Sequence, residues 1–332
     1  MSSNPHDSLF RGIFEHPENA RGELQYLLPA ELNRRLDWST LALEPSSFVD
    51  ERGKNSHSDL LFSIKLDQRD AFMYLLFEHQ STADPLLIYR QLKYIINFLD
   101  RWLEDHPGAT RLPVVIPLLL CHTPTGWSAP VRFEDLLDID ADTFPLIADF
   151  VPRFRTLVDD LTAAVDDELF HRAMTEAARL TLWCLKTSRD PAAVDETRAR
   201  WWALLRVVGP ATNGRATFLQ ILRYILDVHQ TPPEHILSVL TEHVTEEQRE
   251  AMASAAEQLI ARGEARGEAR GEMNGQRSML LRLVQQRFGP PPPQVRTRIE
   301  EATRADLEAW TDRILTAPTL ADLLDPASSP RD

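Results

Sequence analysis

Cysteine is nearly absent from this chain. Its two cysteines, Cys121 and Cys184, each stand isolated in an apolar stretch without metal-ligand spacing, and buried thiols in a reducing compartment are the expected reading. Long apolar runs are missing too. The longest, residues 114–121, is interrupted by Pro117 and is far too short to cross a bilayer, and the opening residues 1–7 are polar rather than leader-like. A cytoplasmic protein with no membrane partner is therefore expected. Positive charge is in deficit: 36 Lys and Arg stand against 50 Asp and Glu, for a net charge of -14. That argues against gripping nucleic acid through overall basicity, and serves solubility. It leaves room for a nuclease whose acidic centre holds metal ions while a local basic groove holds phosphates. There is no Gly-x-x-x-x-Gly-Lys-Ser/Thr loop, no Gly-x-Ser-x-Gly elbow and no His-Glu-x-x-His pair.

What is present is one strong hairpin signal. Two apolar, β-prone runs, residues 58–66 and 71–78, flank the polar tetrad Asp67-Gln68-Arg69-Asp70. If the loop closes by pairing Leu66 with Ala71, Asp59 falls opposite Glu78. Facing residues have Cβ atoms roughly 4.5 to 5.5 Å apart, and Gln80 points to the same side because strand side chains alternate. Two carboxylates and a third oxygen donor suit a hard cation such as Mg²⁺ or Mn²⁺. A pair of exposed hairpin-end acids is the plainer alternative. Like charges repel, so a cationic group is expected nearby. His79 points to the opposite side and reads as a packed or hydrogen-bonded histidine.

Around the hairpin the pattern alternates. Apolar residues at 9, 10, 13 and 14 predict a helix, with Asp7 as its cap or as a group reaching the site. A second helical stretch over 17–35 should divide at Pro29. Residues 46–50 are a short strand candidate, followed by a polar loop over 51–57. After the hairpin, Asp84-Pro85 starts a helix that runs to about Leu103 and carries Arg90 and Tyr94 on one face. Residues 112–121 predict a strand covered on both faces, although Pro113 and Pro117 demand an irregularity. Helical spacing then fills 153–165, 168–186, 192–208, 217–229 and 234–243, with Trp183, Trp201 and Trp202 as packing residues. The expectation is an α/β (α+β) fold, a mixed sheet flanked by helices and followed by an all-helical C-terminal half. Its divisions are a core over 1–150, a helical extension over 151–260, a repeat over 261–276 and a small helical module over 277–332.

The repeat places glycine at 263, 267, 271 and 275, within an Arg-Gly-Glu-Ala period of four. As a helix it would carry Arg and Glu stripes on opposite sides, and a partner helix could offset the cost of its glycines, about 1 kcal/mol each relative to Ala. It reads either as a homo-oligomerisation segment or as a flexible linker.

The hairpin resembles the core of the PD-(D/E)XK nuclease superfamily, which has a restriction-endonuclease-like fold. Asp59 matches the metal-binding Asp and Glu78 the acid of the second motif; Gln80 stands where Lys is usual. More closely, the chain resembles the Rpn family of recombination-promoting nucleases, also called YhgA-like transposases. The matches are His6-Asp7 with Phe10 and Phe14, Leu28-Pro29, residues 58–62, Glu78-His79-Gln80-Ser81, Tyr89-Arg90 with Tyr94, and Leu112-Pro113 through Pro117 before Trp127. They run in family order over about the first half. The resemblance implies a Mg²⁺- or Mn²⁺-dependent DNA endonuclease linked to recombination or mobile DNA, with Gln80 as that family's usual residue at the Lys position. Asp59 and Glu78 would bind the ion, Gln80 would help place the water, and Arg90 and Tyr94, with Lys93 and Asp7, would support the site or hold phosphate. The alternative is a catalytically silent, DNA-associated assembly protein acting through its helical half.

Overall fold

The structure, a computed structural model, describes residues 4–45, 59–78, 83–188, 199–208, 214–228 and 232–324. These form two compact units, Met1–Ala255 and Ala256–Asp332.

The first unit opens with three helices, α1 (Pro5–Phe14), α2 (Pro17–Leu27) and α3 (Ala30–Arg35). Pro29 separates the last two, as its missing N–H requires. Then come β1 (Leu36–Leu43), β2 (Asp59–Leu66), β3 (Arg69–Glu78), α4 (Leu87–Asp105), β4 (Val114–Cys121), α5 (Phe144–Ile147) and β5 (Leu157–Asp160). The strands make one mixed sheet in the order β1-β2-β3-β4-β5, antiparallel from β1 to β3 and parallel from β3 to β5. The helices α6 (Asp166–His171), α7 (Glu176–Lys186), α8 (Ala199–Trp202), α9 (Leu205–Val208), α10 (Gly214–Val228) and α11 (Pro233–Thr241) follow, and then α12 (Glu246–Phe288).

Strand alternation divides the apolar side chains between two cores. Leu60, Phe62, Met73, Leu75 and Phe77 face the larger one with α1, α2, α7 and α10. There Phe77 stacks on Phe10 at 4.8 Å, and Trp183 stacks on Trp201 at 5.1 Å. Leu61, Phe72, Tyr74, Leu76 and Leu119 face the smaller core, where α4 covers them with Leu87 and Phe98. Pro117 fits in β4 because β5 pairs only from Leu118 onward, so no ladder bond on that side is lost.

Several expectations are corrected. The hairpin loop is the two-residue turn Asp67-Gln68, with φ of 47° and 67°, and Arg69 and Asp70 belong to β3. Leu66 therefore pairs with Arg69, and Asp59 faces Leu76 rather than Glu78. The first strand of the sheet is β1, which periodicity did not reveal; the candidate over 46–50 lies outside the described residues. The helix predicted over 153–165 is instead β5 followed by a turn, since the exposed edge of β4 gives this segment a parallel partner. With β5 inside the sheet, the helical extension predicted over 151–260 does not begin at 151, and the first compact unit runs to Ala255. Asn4, not Asp7, caps α1, its side chain accepting from the His6 N–H at 3.0 Å.

The second unit packs the C-terminal part of α12 with α13 (Pro293–Glu300), α14 (Arg304–Arg313) and α15 (Leu320–Leu324) around Leu280, Val284, Ile299, Leu307, Trp310 and Leu323. Arg287 holds the turn after α14 by donating to the Ala317 carbonyl at 2.7 Å. The Arg-Gly-Glu-Ala repeat is helical along its whole length, within α12. A Cβ on Gly271 or Gly275 would meet nothing within 4 Å.

Candidate active site at the hairpin end

Asp59 opens β2 and Glu78 closes β3. Because the two strands are antiparallel, both lie at one end of the sheet, which is also the carboxyl end of the parallel strands β3, β4 and β5, where ligands of α/β sheets bind. The register shift is of two residues, an even number, so it keeps Asp59 and Glu78 on one face. They are diagonal rather than facing neighbours, which sets their backbones roughly 7 to 8 Å apart and leaves room between the carboxylates for an ion. Both are buried, at 3% and 6% exposure.

Each carboxylate is held by a neighbouring side chain. The Tyr74 phenol donates to Asp59 Oδ2 at 2.6 Å. Burial first, and then the charge of Asp59, push that phenol well above its usual titration range, so it remains a donor. The Tyr94 ring lies 5.7 Å from the Tyr74 ring. Arg90 is the expected cation: its guanidinium is 3.6 Å from Glu78 Oε2 and 2.9 Å from Asp84 Oδ2. It sits there because residues 87, 91, 94 and 98 of α4 turn toward the sheet, carrying Arg90 to the edge of that face.

On β4, Cys121 is the neighbour of Glu78 and also of Asp160. Burial raises its thiol, with Asp160 adding to the shift, so it is a neutral packing group. Asp160 closes the row, accepting from the Trp127 N–H at 2.7 Å and the Thr162 N–H at 3.0 Å. His122 is buried, and its backbone N–H donates to the Glu78 backbone carbonyl at 3.0 Å.

The structure thus brings together Asp59, Glu78, Arg90 and Tyr94. Gln80 and His79 lie outside the described residues. Lys93 is exposed on the outer side of α4, over the Tyr89 ring at 5.8 Å, and so does not join the carboxylates. Asp7 is in the first turn of α1, on the other side of the sheet from Glu78. Tyr74 had no signal of its own in the sequence; Asp84 reads there only as a helix start, and Gln91, beside Arg90 and Tyr94 on the helix, has a buried carboxamide with no hydrogen-bond partner among the described residues.

Among the described residues no group of three His, Cys, Asp or Glu is placed to hold a metal. Two buried carboxylates on one face still fit a hard cation, since Mg²⁺ is commonly bound through one or two carboxylates and keeps several waters.

The fold and site define a mixed α/β protein with an acidic, Arg-bracketed centre at the carboxyl end of its sheet. The chain belongs to the family described as "Putative transposase, YhgA-like", whose model matches residues 4–206. It is 37% identical over 175 residues to the recombination-promoting nuclease RpnA of Escherichia coli K12, covering 52% of this chain and 58% of the relative. It is 34% identical over 171 residues to the recombination-promoting nuclease RpnD of Escherichia coli O157:H7, covering 51% and 63%. The inactive recombination-promoting nuclease-like protein RpnE of Escherichia coli K12 is 33% identical over 172 residues, covering 52% and 56%. The chain thus spans under two thirds of the length of these curated relatives. No solved structure matches it. No helix among the described residues is long and apolar enough to cross a membrane.

Proposed function

We propose that the chain is a divalent-metal-dependent DNA endonuclease of the PD-(D/E)XK type, acting in recombination or on mobile DNA. One observation carries this reading: Asp59 and Glu78 are buried on one face at the carboxyl end of the sheet, the first bonded by Tyr74 and the second bracketed by Arg90. Burying two acids together is costly unless something compensates, and a substrate-binding centre is where such a cost is retained. The names of RpnA and RpnD support the same reading.

In this assignment Asp59 and Glu78 hold Mg²⁺ or Mn²⁺, with Gln80 as a neutral third oxygen donor. The ion would supply charge neutralisation at phosphate and a more acidic bound water. Tyr74 orients Asp59 by donating to Oδ2. Arg90, 43% exposed, can turn from Asp84 toward a phosphate, a role that Lys93 and Asp7 do not share in this geometry. The protein's net negative charge makes affinity for DNA a local matter, carried by such cations and by the metal.

The test is nicking of supercoiled plasmid with Mg²⁺ or Mn²⁺. Wild-type protein cleaves, while Asp59→Asn and Glu78→Gln, which keep side-chain shape, do not. Full activity in both variants refutes the assignment. A second reading has the matching relative RpnE in its favour, a protein named as inactive. The chain would then be a DNA-associated assembly protein acting through its helical half. No cleavage with any metal, together with loss of self-association on deleting residues 261–276, would decide for it.

A further inference from the structure

Helix α4 has a second apolar face that the sheet does not occupy. Leu87, Gln91, Tyr94 and Phe98 turn inward. Roughly opposite them, Tyr89, Leu92, Ile96, Leu99 and Leu103 recur at alternating steps of three and four, the a and d positions of a heptad seam. Tyr89, Ile96 and Leu103, one heptad apart, are 48%, 47% and 38% exposed; Leu92 is half-buried between them, and Leu99 is half-buried because one side of it also packs against the smaller core. A helix that only covers a sheet needs one apolar stripe and presents polar residues to water. This one carries two stripes.

We propose that α4 is a dimerisation helix, and that two copies of the chain pair antiparallel along this stripe about a twofold axis. The flanking positions commit the surface to a second copy and to that direction. In the heptad the e positions are Lys93 and Asp100, of opposite charge, and the g positions are Ile95 and Trp102, both apolar. An antiparallel pair sets e against e and g against g. With Ile96 against Leu99 of the second copy and Leu92 against its Leu103, Lys93 of each copy meets Asp100 of the other, twice per dimer, and Ile95 meets the half of Trp102 that the smaller core and His106 leave open. A parallel pair would set e against g and put both charges on apolar partners. The surface is self-complementary in one orientation, as a twofold interface demands. Lys93 thereby has a role on the outer side of α4. The pairing would also place two copies of the carboxylate site in fixed relation, each behind the same helix, but it does not depend on cleavage.

Sedimentation equilibrium of the full-length protein tests this. Wild type is a dimer, and Ile96→Glu is a monomer. Lys93→Asp and Asp100→Lys each weaken association by roughly tenfold, because each turns two attractions per dimer into repulsions, and the double variant recovers wild-type affinity. These charge variants are at exposed positions and test the proposal even if Ile96→Glu fails to fold, which circular dichroism would reveal. A monomeric wild type overturns it. So does association indifferent to the single reversals, which would move self-association to the repeat in α12, and so does a double variant no tighter than the single ones.

Discussion

The Tyr74 phenol and the Asp59 carboxylate, one on each strand of the hairpin, are joined by a buried hydrogen bond of 2.6 Å. Tyr74 is fifteen residues from Asp59 in sequence and pairs with Leu61, so its ring reaches diagonally along the strand to the carboxylate. A buried acceptor that loses a donor bears its desolvation cost. Tyr74→Phe is expected to lose about 1 to 3 kcal/mol of stability in urea denaturation and to lower plasmid cleavage about 10- to 100-fold, the usual range for a group that orients a ligating carboxylate. Unchanged cleavage would remove Tyr74 from the site.

Arg90 bridges Glu78 and Asp84 from a position 43% open to solvent. Glu78 is buried, so Arg90→Ala leaves its charge short of a partner and should cost about 1 to 3 kcal/mol while the chain still folds. Its cleavage should drop about a hundredfold if the guanidinium neutralises phosphate charge. Arg90→Lys should recover only part of the loss, because an ammonium cannot present a planar fork to two acids. Parallel urea and nicking measurements separate the two effects.

A second buried charge cluster lies on the other face of the sheet. Arg172 donates to Asp159 Oδ1 at 3.0 Å and lies 3.5 Å from Glu23 Oε2, with the Tyr26 ring 3.7 Å from its guanidinium carbon. Arg172→Met leaves two acids buried without their cation and should cost about 3 to 5 kcal/mol.

Glu23 in this cluster gives stability a pH dependence. Burial first, and then the charge of Asp159, raise its carboxyl well above its ordinary value of 4.5, with Arg172 pulling the other way. The folded state therefore holds the proton more tightly than the unfolded chain. Its contribution is fully present below about 4.5 and is lost as pH rises through the folded value. Unfolding midpoints should fall with rising pH in that window for wild type, and less steeply for Glu23→Gln. Parallel slopes would show that Glu23 does not titrate there.

The hairpin turn holds Gln68 at φ 67°, a left-handed conformation that costs a non-glycine residue about 1 kcal/mol. Gln68→Gly should raise stability by about that amount, visible as a higher urea midpoint with an unchanged slope. A loss would mean that the turn is not of this type.

Much of the site was legible because strand alternation has a period of two. Asp59 and Glu78 share a face under any even register, so the wrong loop length still put both acids on the correct side. The register itself was hidden: a two-residue turn with positive φ announces itself through Gly or Asn, and Asp67-Gln68 carries neither. β5 was read as helix because four strand residues inside a longer apolar spacing have no period of their own. The cluster of Glu23, Asp159 and Arg172 spans 149 residues of sequence between its outer members and could not be foreseen.

By itself, then, the sequence determined the hairpin, the shared face of its acids, the helix carrying Arg90 and Tyr94, and the family. Tertiary structure decided which residue faces Asp59, that Tyr74 bonds it, that Lys93 turns away, and that residues 157–160 complete the sheet. The division has a physical cause. Side-chain periodicity is set by bonds within a few residues, whereas register, diagonal contacts and the pairing of a short strand are settled by partners that only the folded chain brings into reach.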